Sequence, residues 1–148
     1  RLVFAPQRAA AEHLARHRLA DLFLDTLPVN AHTTASDALW AGLPVLTCTG
    51  EAFASRVAAS LLNAVGLPEL ILGSQSEYEA RAIELATHPE KLASITQKLE
   101  CNRLKTPLFD TGRYTRHFEA ACVEMYERYQ EDLAPDHIFV PGARSRSP

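Results

Sequence analysis

The sequence predicts an α/β fold, with a parallel sheet wrapped by helices and a helical region after it. Three observations carry this. Up to about residue 73, short apolar runs alternate with helical segments, the rhythm of strand–helix–strand units. The runs are near-continuously apolar, as expected of strands covered on both faces. From residue 74 the strand signals stop, and apolar residues recur at steps of three and four, the helical period.

The elements follow in order. "LVFA" (2–5) reads as a short strand ending at Pro6. "AAAEHLARHRLA" (9–20) reads as a helix rich in intrinsic helix formers. "DLFLD" (21–25) is an apolar strand, "TASDALWAG" (34–42) a helix, and "PVLTC" (44–48) a strand. Gly42 is placed to take a left-handed cap, and Pro44 prevents continuation. Trp40 is expected in the core. "EAFASRVAASLLNAVG" (51–66) reads as a helix closed by Gly66, and "LPELIL" (67–72) contains a last short strand. "SQSEYEARAIELATH" (74–88) opens with capping residues. "PEKLASITQKLECNRLK" (89–105) has Pro89 as its first helical residue. A final helix lies within "DTGRYTRHFEAACVEMYERYQED" (110–132). There Tyr114, Phe118, Cys122, Met125 and Tyr129 line one face, expected to pack on the sheet region. The expected organisation is a Rossmann-like α/β lobe over 1–73, helices packing on it over 74–133, and a disordered tail over 134–148 rich in Pro, Gly, Ser and Arg. Three or four strands fall short of the five or six of a doubly wound sheet. The chain therefore reads as the latter part of a nucleotide-binding domain, incomplete at its N-terminus.

Composition narrows the function. The 148 residues carry a net charge of −3, which gives no general drive toward nucleic acid or anionic membranes. No apolar run approaches the roughly 20 residues of a membrane span. The three cysteines lack CxxC spacing and read as free thiols, which places the protein in the cytoplasm. His13 and His17 lie four apart, but no third ligand or HExxH pattern accompanies them, so no metal site is expected.

The junction "LDTLPVNAHTTASDALWAG" carries the chemistry. Ligands of open α/β sheets bind beyond the carboxyl ends of the strands. The helix that follows "LFLD" offers free backbone N–H groups and a partial positive charge at its start, a site for phosphate. Thr33 and Thr34 add hydroxyl donors there and His32 a ring N–H. Asp37 has two readings. "TASD" fits a capping box with Thr34 as the cap, and a carboxylate in that turn also suits sugar hydroxyls. At the next strand end, Gly50 and Glu51 sit where a second ligand loop belongs, with Glu51 on a hydroxyl or in a first helical turn. Upstream, His13 and Arg16 share a helix face, open to a base, a phosphate or solvent. The residues alone lead to a nucleotide- or phosphate-sugar-binding α/β domain, with no nucleophile–base pair singled out.

The stretch "DLFLDTLPVNAHTTASDALWAGLPVLTCTGEAFASRVAASLL" resembles the C-terminal catalytic lobe of the O-linked N-acetylglucosamine transferases, inverting GT-B enzymes that modify Ser and Thr of intracellular proteins. The resemblance runs from Arg1 to about Val140 and includes "TPLFDTGRY" and "PDHIFV". It implies that this lobe holds the UDP of UDP-N-acetylglucosamine, without a metal or other cofactor. It implies His32, Thr33 and Thr34 at the diphosphate and nearby sugar, and Asp37 on the ribose. It also implies His13 and Arg16 at the uridine, and Arg8 where a backbone group meets uracil. The family's lysine in "PKEEH" falls on Ala10, so one positive contact to the donor is missing.

The resemblance further implies parts beyond these 148 residues: a lysine on the diphosphate, an N-terminal lobe with the protein acceptor groove, and a tetratricopeptide array. The chain alone is then expected to be inactive. The SPINDLY-type protein O-fucosyltransferases, which use GDP-fucose, are a related branch whose junction reads more like "GTTTxxESL". "AHTTASDALW" favours the UDP-N-acetylglucosamine branch, and the Ala, Leu and Arg content suggests a bacterial-type homologue. A non-catalytic nucleotide-binding or scaffold module is the alternative from another class.

Overall fold

The computed structural model describes residues 2–140. Three strands, β1 (Phe23–Leu24), β2 (Val45–Cys48) and β3 (Ile71–Leu72), form one sheet in the order β1-β2-β3. Both pairings are parallel, with Phe23 opposite Val45 and Thr47 opposite Ile71. Six helices accompany them: α1 (Ala10–Arg16), α2 (Thr33–Ala41), α3 (Val57–Val65), α4 (Gln75–Thr87), α5 (Pro89–Asn102) and α6 (Thr111–Gln130). Among the described residues, no helix is long and apolar enough to cross a membrane.

The core forms where the apolar runs meet. All four residues of β2 are buried, as its continuous apolar sequence requires. α2, α3 and α4 all pack against β2. α2 contributes Ala35, Ala38 and Leu39, and α3 contributes Ala58, Ala59, Leu62 and Val65, the three-and-four spacing of a helix face. Leu85 of α4 and Leu99 of α5 complete the core. Each fully buried leucine contributes roughly 1.5–3 kcal/mol relative to exposure.

The helix ends follow local chemistry. Gly42 (φ 90°) and Gly66 (φ 77°) close α2 and α3 in the left-handed region that glycine alone adopts without steric cost. Ser74 caps α4 by accepting from the Glu77 amide at 3.3 Å. Pro89 opens α5, where its missing N–H costs nothing. Asp110 caps α6, accepting from the Arg113 amide at 2.8 Å.

Several expectations are corrected. "LVFA" forms no strand: residues 2–9 have no regular structure, and Leu2, Val3 and Phe4 are exposed. A short strand needs a paired neighbour and a covering surface, and among the described residues β1 pairs only with β2. The helix expected from Glu51 begins only at Val57, after a 3-10 turn over Phe53–Ser55. Trp40 is 47% exposed rather than in the core, with the Arg103 guanidinium 5.9 Å over its ring.

The chain divides into two compact units after Leu108, whereas the sequence reading sets boundaries at 73 and 133. α4 and α5 belong to the first unit with the sheet. In the second, α6 buries none of its residues. Tyr114, Phe118, Met125 and Tyr129 of its apolar stripe are exposed. Residues 141–148 of the expected tail lie outside the described residues.

α4 and α5 are clamped by Glu84, which accepts from Lys91 and, at 2.7 Å, from Arg81. The Lys91 hydrogen bond, followed by that of Arg81, holds the Glu84 carboxyl at about 2, below its ordinary 4.5. A depressed carboxyl stabilises the fold above its unfolded value and ceases to do so as pH falls through the folded one. Glu84→Gln is therefore expected to be less stable than the wild type at neutral pH. In urea titrations the difference should shrink as pH falls from 4.5 toward 2, and high salt should weaken it.

Candidate functional site

Asp25 immediately follows β1, and the loop from Thr26 to His32 carries the chain to α2. Asp25 is 6% exposed and organises this loop. Its Oδ1 accepts from the amides of Thr26 (2.8 Å) and Ala31 (2.6 Å), and its Oδ2 from the Thr47 hydroxyl on β2 (2.6 Å). Tyr78 of α4 donates its hydroxyl to the Asp25 carbonyl at 2.9 Å. Burial, with the Asp25 charge second, pushes the Tyr78 phenol above its ordinary value.

Asn30, 4% exposed, holds the other end of the loop. Its amide N–H donates to the Ala54 carbonyl at 2.9 Å, and its Nδ2 to the carbonyls of Thr26 (3.1 Å) and Cys48 (3.4 Å). Sequence reasoning missed both residues. The available signal was an Asp ending an apolar strand with an Asn five residues on, both types that bind loop backbone through their side chains.

α2 begins at Thr33, with His32 in the cap position (φ −105°, ψ −88°) and no side chain capping the start. The capping-box reading of Asp37 is thereby corrected, because Thr34 is already helical and caps nothing. Thr33 and Thr34 are exposed at the start of α2, where the first amides of a helix have no partner within it. The His32 ring stands edge-on to Phe53, centroids 6.3 Å apart, with Nε2 3.4 Å from the Ala54 carbonyl. Asp37, one turn on, is half-buried and has no hydrogen bond or ion pair among the described residues.

The upstream residues gather on α1, which packs against α2. Arg16 donates from Nη2 to His13 Nδ1 at 2.7 Å and from Nη1 to the Pro6 carbonyl at 2.8 Å. This bond assigns the His13 proton to Nε2, which is left to donate. Arg8 is exposed and pairs with Glu12 at 4.0 Å. Ala10 opens α1 with only a methyl group. Thus His32, Thr33, Thr34 and Asp37 share the start of α2, His13 and Arg16 form a unit on the neighbouring helix, and Arg8 stands with Glu12.

At the second strand end the Gly50 amide donates to the Ser55 carbonyl at 3.1 Å, and a Cβ on Gly50 would lie 2.7 Å from Ser55 Oγ. Glu51 is exposed in the loop and not in a helical turn. A cavity of about 1200 Å³ lies elsewhere, between β1, α4 and α5, and none of the residues singled out above as ligand contacts lines it. Among the described residues, no three His, Cys, Asp or Glu converge as a metal site.

Comparison with known proteins bears on this junction. The family model described as glycosyl transferase family 41 matches residues 1–118. The chain is similar to a probable UDP-N-acetylglucosamine–peptide N-acetylglucosaminyltransferase SEC of Arabidopsis thaliana, 40% identical over 94% of this chain and 14% of that protein. It is similar to the UDP-N-acetylglucosamine–peptide N-acetylglucosaminyltransferase of Caenorhabditis elegans, 41% identical over 93% of this chain and 12% of that one. A probable UDP-N-acetylglucosamine–peptide N-acetylglucosaminyltransferase SPINDLY of Solanum lycopersicum is 34% identical over 84% of this chain and 13% of its own. Among solved structures, the O-GlcNAc transferase of Thermobaculum terrenum (mutant K341M) superposes with a TM-score of 0.80 at 33% identity, covering 86% of this chain and 24% of that chain. The chain thus spans 12–14% of the length of these curated relatives.

Proposed function

This chain belongs to glycosyl transferase family 41, and we propose that it forms the UDP-sugar-binding part of a protein O-GlcNAc transferase. The observation that carries the reading is the uncapped, hydroxyl-rich start of α2 at the carboxyl end of a parallel strand, inside the matched family segment. In this reading the first amides of α2, Thr33, Thr34 and His32 hold the diphosphate. The unpartnered Asp37 carboxylate accepts from the ribose hydroxyls. His13, oriented by Arg16, meets the uridine, and the backbone at Arg8 meets uracil.

The chemistry follows from this placement. As the bond from the sugar carbon to the diphosphate oxygen breaks, negative charge grows on the leaving UDP. The fixed donors at the helix start offset it without reorganising. The acceptor Ser or Thr hydroxyl attacks the sugar carbon from the opposite side and gives its proton to a group outside these 148 residues or to the donor substrate itself, so the 148 residues alone transfer no sugar. Charge stabilisation falls to the helix start and side chains, and the reading assigns no metal or other cofactor.

Two observations favour other readings. The resemblance to the SPINDLY branch keeps a GDP-fucose donor as the alternative, and Ala10 in place of the family's lysine favours a module that binds without catalysis. Calorimetry of the complete protein with UDP and GDP decides among them. The proposal expects UDP to bind more tightly than GDP. A preference for GDP moves the assignment to the fucosyl branch, and no binding of either leaves the scaffold module.

A further inference from the structure

We propose that Asp25 is the positioning residue of this site: its carboxylate, set between Thr47 and the amides of Thr26 and Ala31, fixes the backbone from which α2 starts. The inference rests on the UDP-binding reading above and extends it to a residue that does not touch the ligand.

A carboxylate that is 6% exposed is costly unless its oxygens are hydrogen-bonded. Asp25 meets this with three donors and no cation among the described residues. Two of the donors are amides from opposite ends of one loop. Oδ1 therefore draws residues 26 and 31 together, and Ala31 immediately precedes His32 and the first turn of α2. The third donor, Thr47, lies on the buried β2, so the carboxylate ties the loop to the most rigid strand. The Tyr78 hydroxyl on the Asp25 carbonyl and the three hydrogen bonds of Asn30 converge on the same loop. Hydrogen bonds to an ionised acceptor are roughly twice as strong as neutral ones, which suits a pin that must hold when an anion binds nearby.

The charge itself makes the idea testable. Asp25 is negative beside a site for a diphosphate, so as a bystander it would repel UDP, and Asp25→Asn would bind UDP more tightly. As a pin, it predicts the opposite sign. In Asp25→Asn, Oδ1 keeps both amides as a neutral, weaker acceptor, and Thr47 can turn to accept from Nδ2. In Asp25→Ala both amides lose their acceptor.

The experiment measures UDP affinity of the complete protein by calorimetry, together with hydrogen exchange at the Ala31 amide. Asp25→Asn should bind UDP about threefold more weakly and Asp25→Ala at least about tenfold more weakly. Ala31 exchange should quicken in the same order. Leu99→Ala, a buried truncation on α5, serves as the stability control and should melt earlier with its UDP affinity intact. If Asp25→Ala does not fold, Asp25→Asn decides by its sign. Affinity equal to or above wild type in Asp25→Asn overturns the proposal, as does unchanged Ala31 exchange. If wild-type protein binds no UDP, the functional reading fails, and Ala31 exchange alone decides the role of Asp25.

Discussion

Replacing His32 with alanine in the complete protein weakens UDP binding by about 10- to 100-fold while leaving the melting temperature within about 2 °C of wild type. The first part follows from a ring N–H lost to a charged phosphate, worth roughly 1.5–3 kcal/mol. The second follows from where the side chain stands: exposed, with one edge contact to Phe53 and a long 3.4 Å approach to the Ala54 carbonyl. Neither contact fills core volume. Thr34→Ala behaves alike, because Thr34 is exposed and caps nothing. Calorimetry and thermal melts of the same samples separate the two quantities. A fall in melting temperature with affinity unchanged would make these residues structural and remove them from the site.

The largest stability effect belongs to the same helix. Leu39→Ala is expected to cost about 2–5 kcal/mol, which lowers the melting temperature by roughly 5–15 °C in a chain of this size. Leu39 is fully buried, and the side chain cannot be removed without leaving a cavity. Trp40→Ala, next door, removes a larger side chain and costs less, because Trp40 is 47% exposed. Urea unfolding of the two variants checks the order. If Trp40→Ala proves the more damaging, the indole and not the leucine anchors α2.

These neighbours show what the sequence made legible. The apolar period of "TASDALWAG" announces a helix, but Leu39 and Trp40 are both apolar and adjacent, and only packing decides which turns inward. Gly42, Gly66 and Pro89 were readable because their roles are local: a left-handed cap or a first-turn position needs no distant partner. Asp25 and Asn30 were not, because their partners on β2 and beyond are brought close only by the fold. "LVFA" has a strand's composition, but strand formation depends on a neighbour that the run itself does not encode. The place of the polar run from His32 to Thr34 at a helix start after a strand was legible in the sequence. The helix starts two residues earlier than a capping box with Thr34 as the cap requires, and that shift leaves Asp37 out of the cap.

The order of strands in the sheet repeats their order along the chain. Each strand pairs with one made about two dozen residues earlier, a short separation for parallel pairing. A ribosome adding about 5–20 residues per second delivers each strand within a few seconds of its partner. Among the described residues, the three strands can therefore pair in the direction of translation, β1 with β2 and then β2 with β3. Asp25, immediately after β1, is then synthesised before Thr47 and Tyr78, the distant partners that bind it.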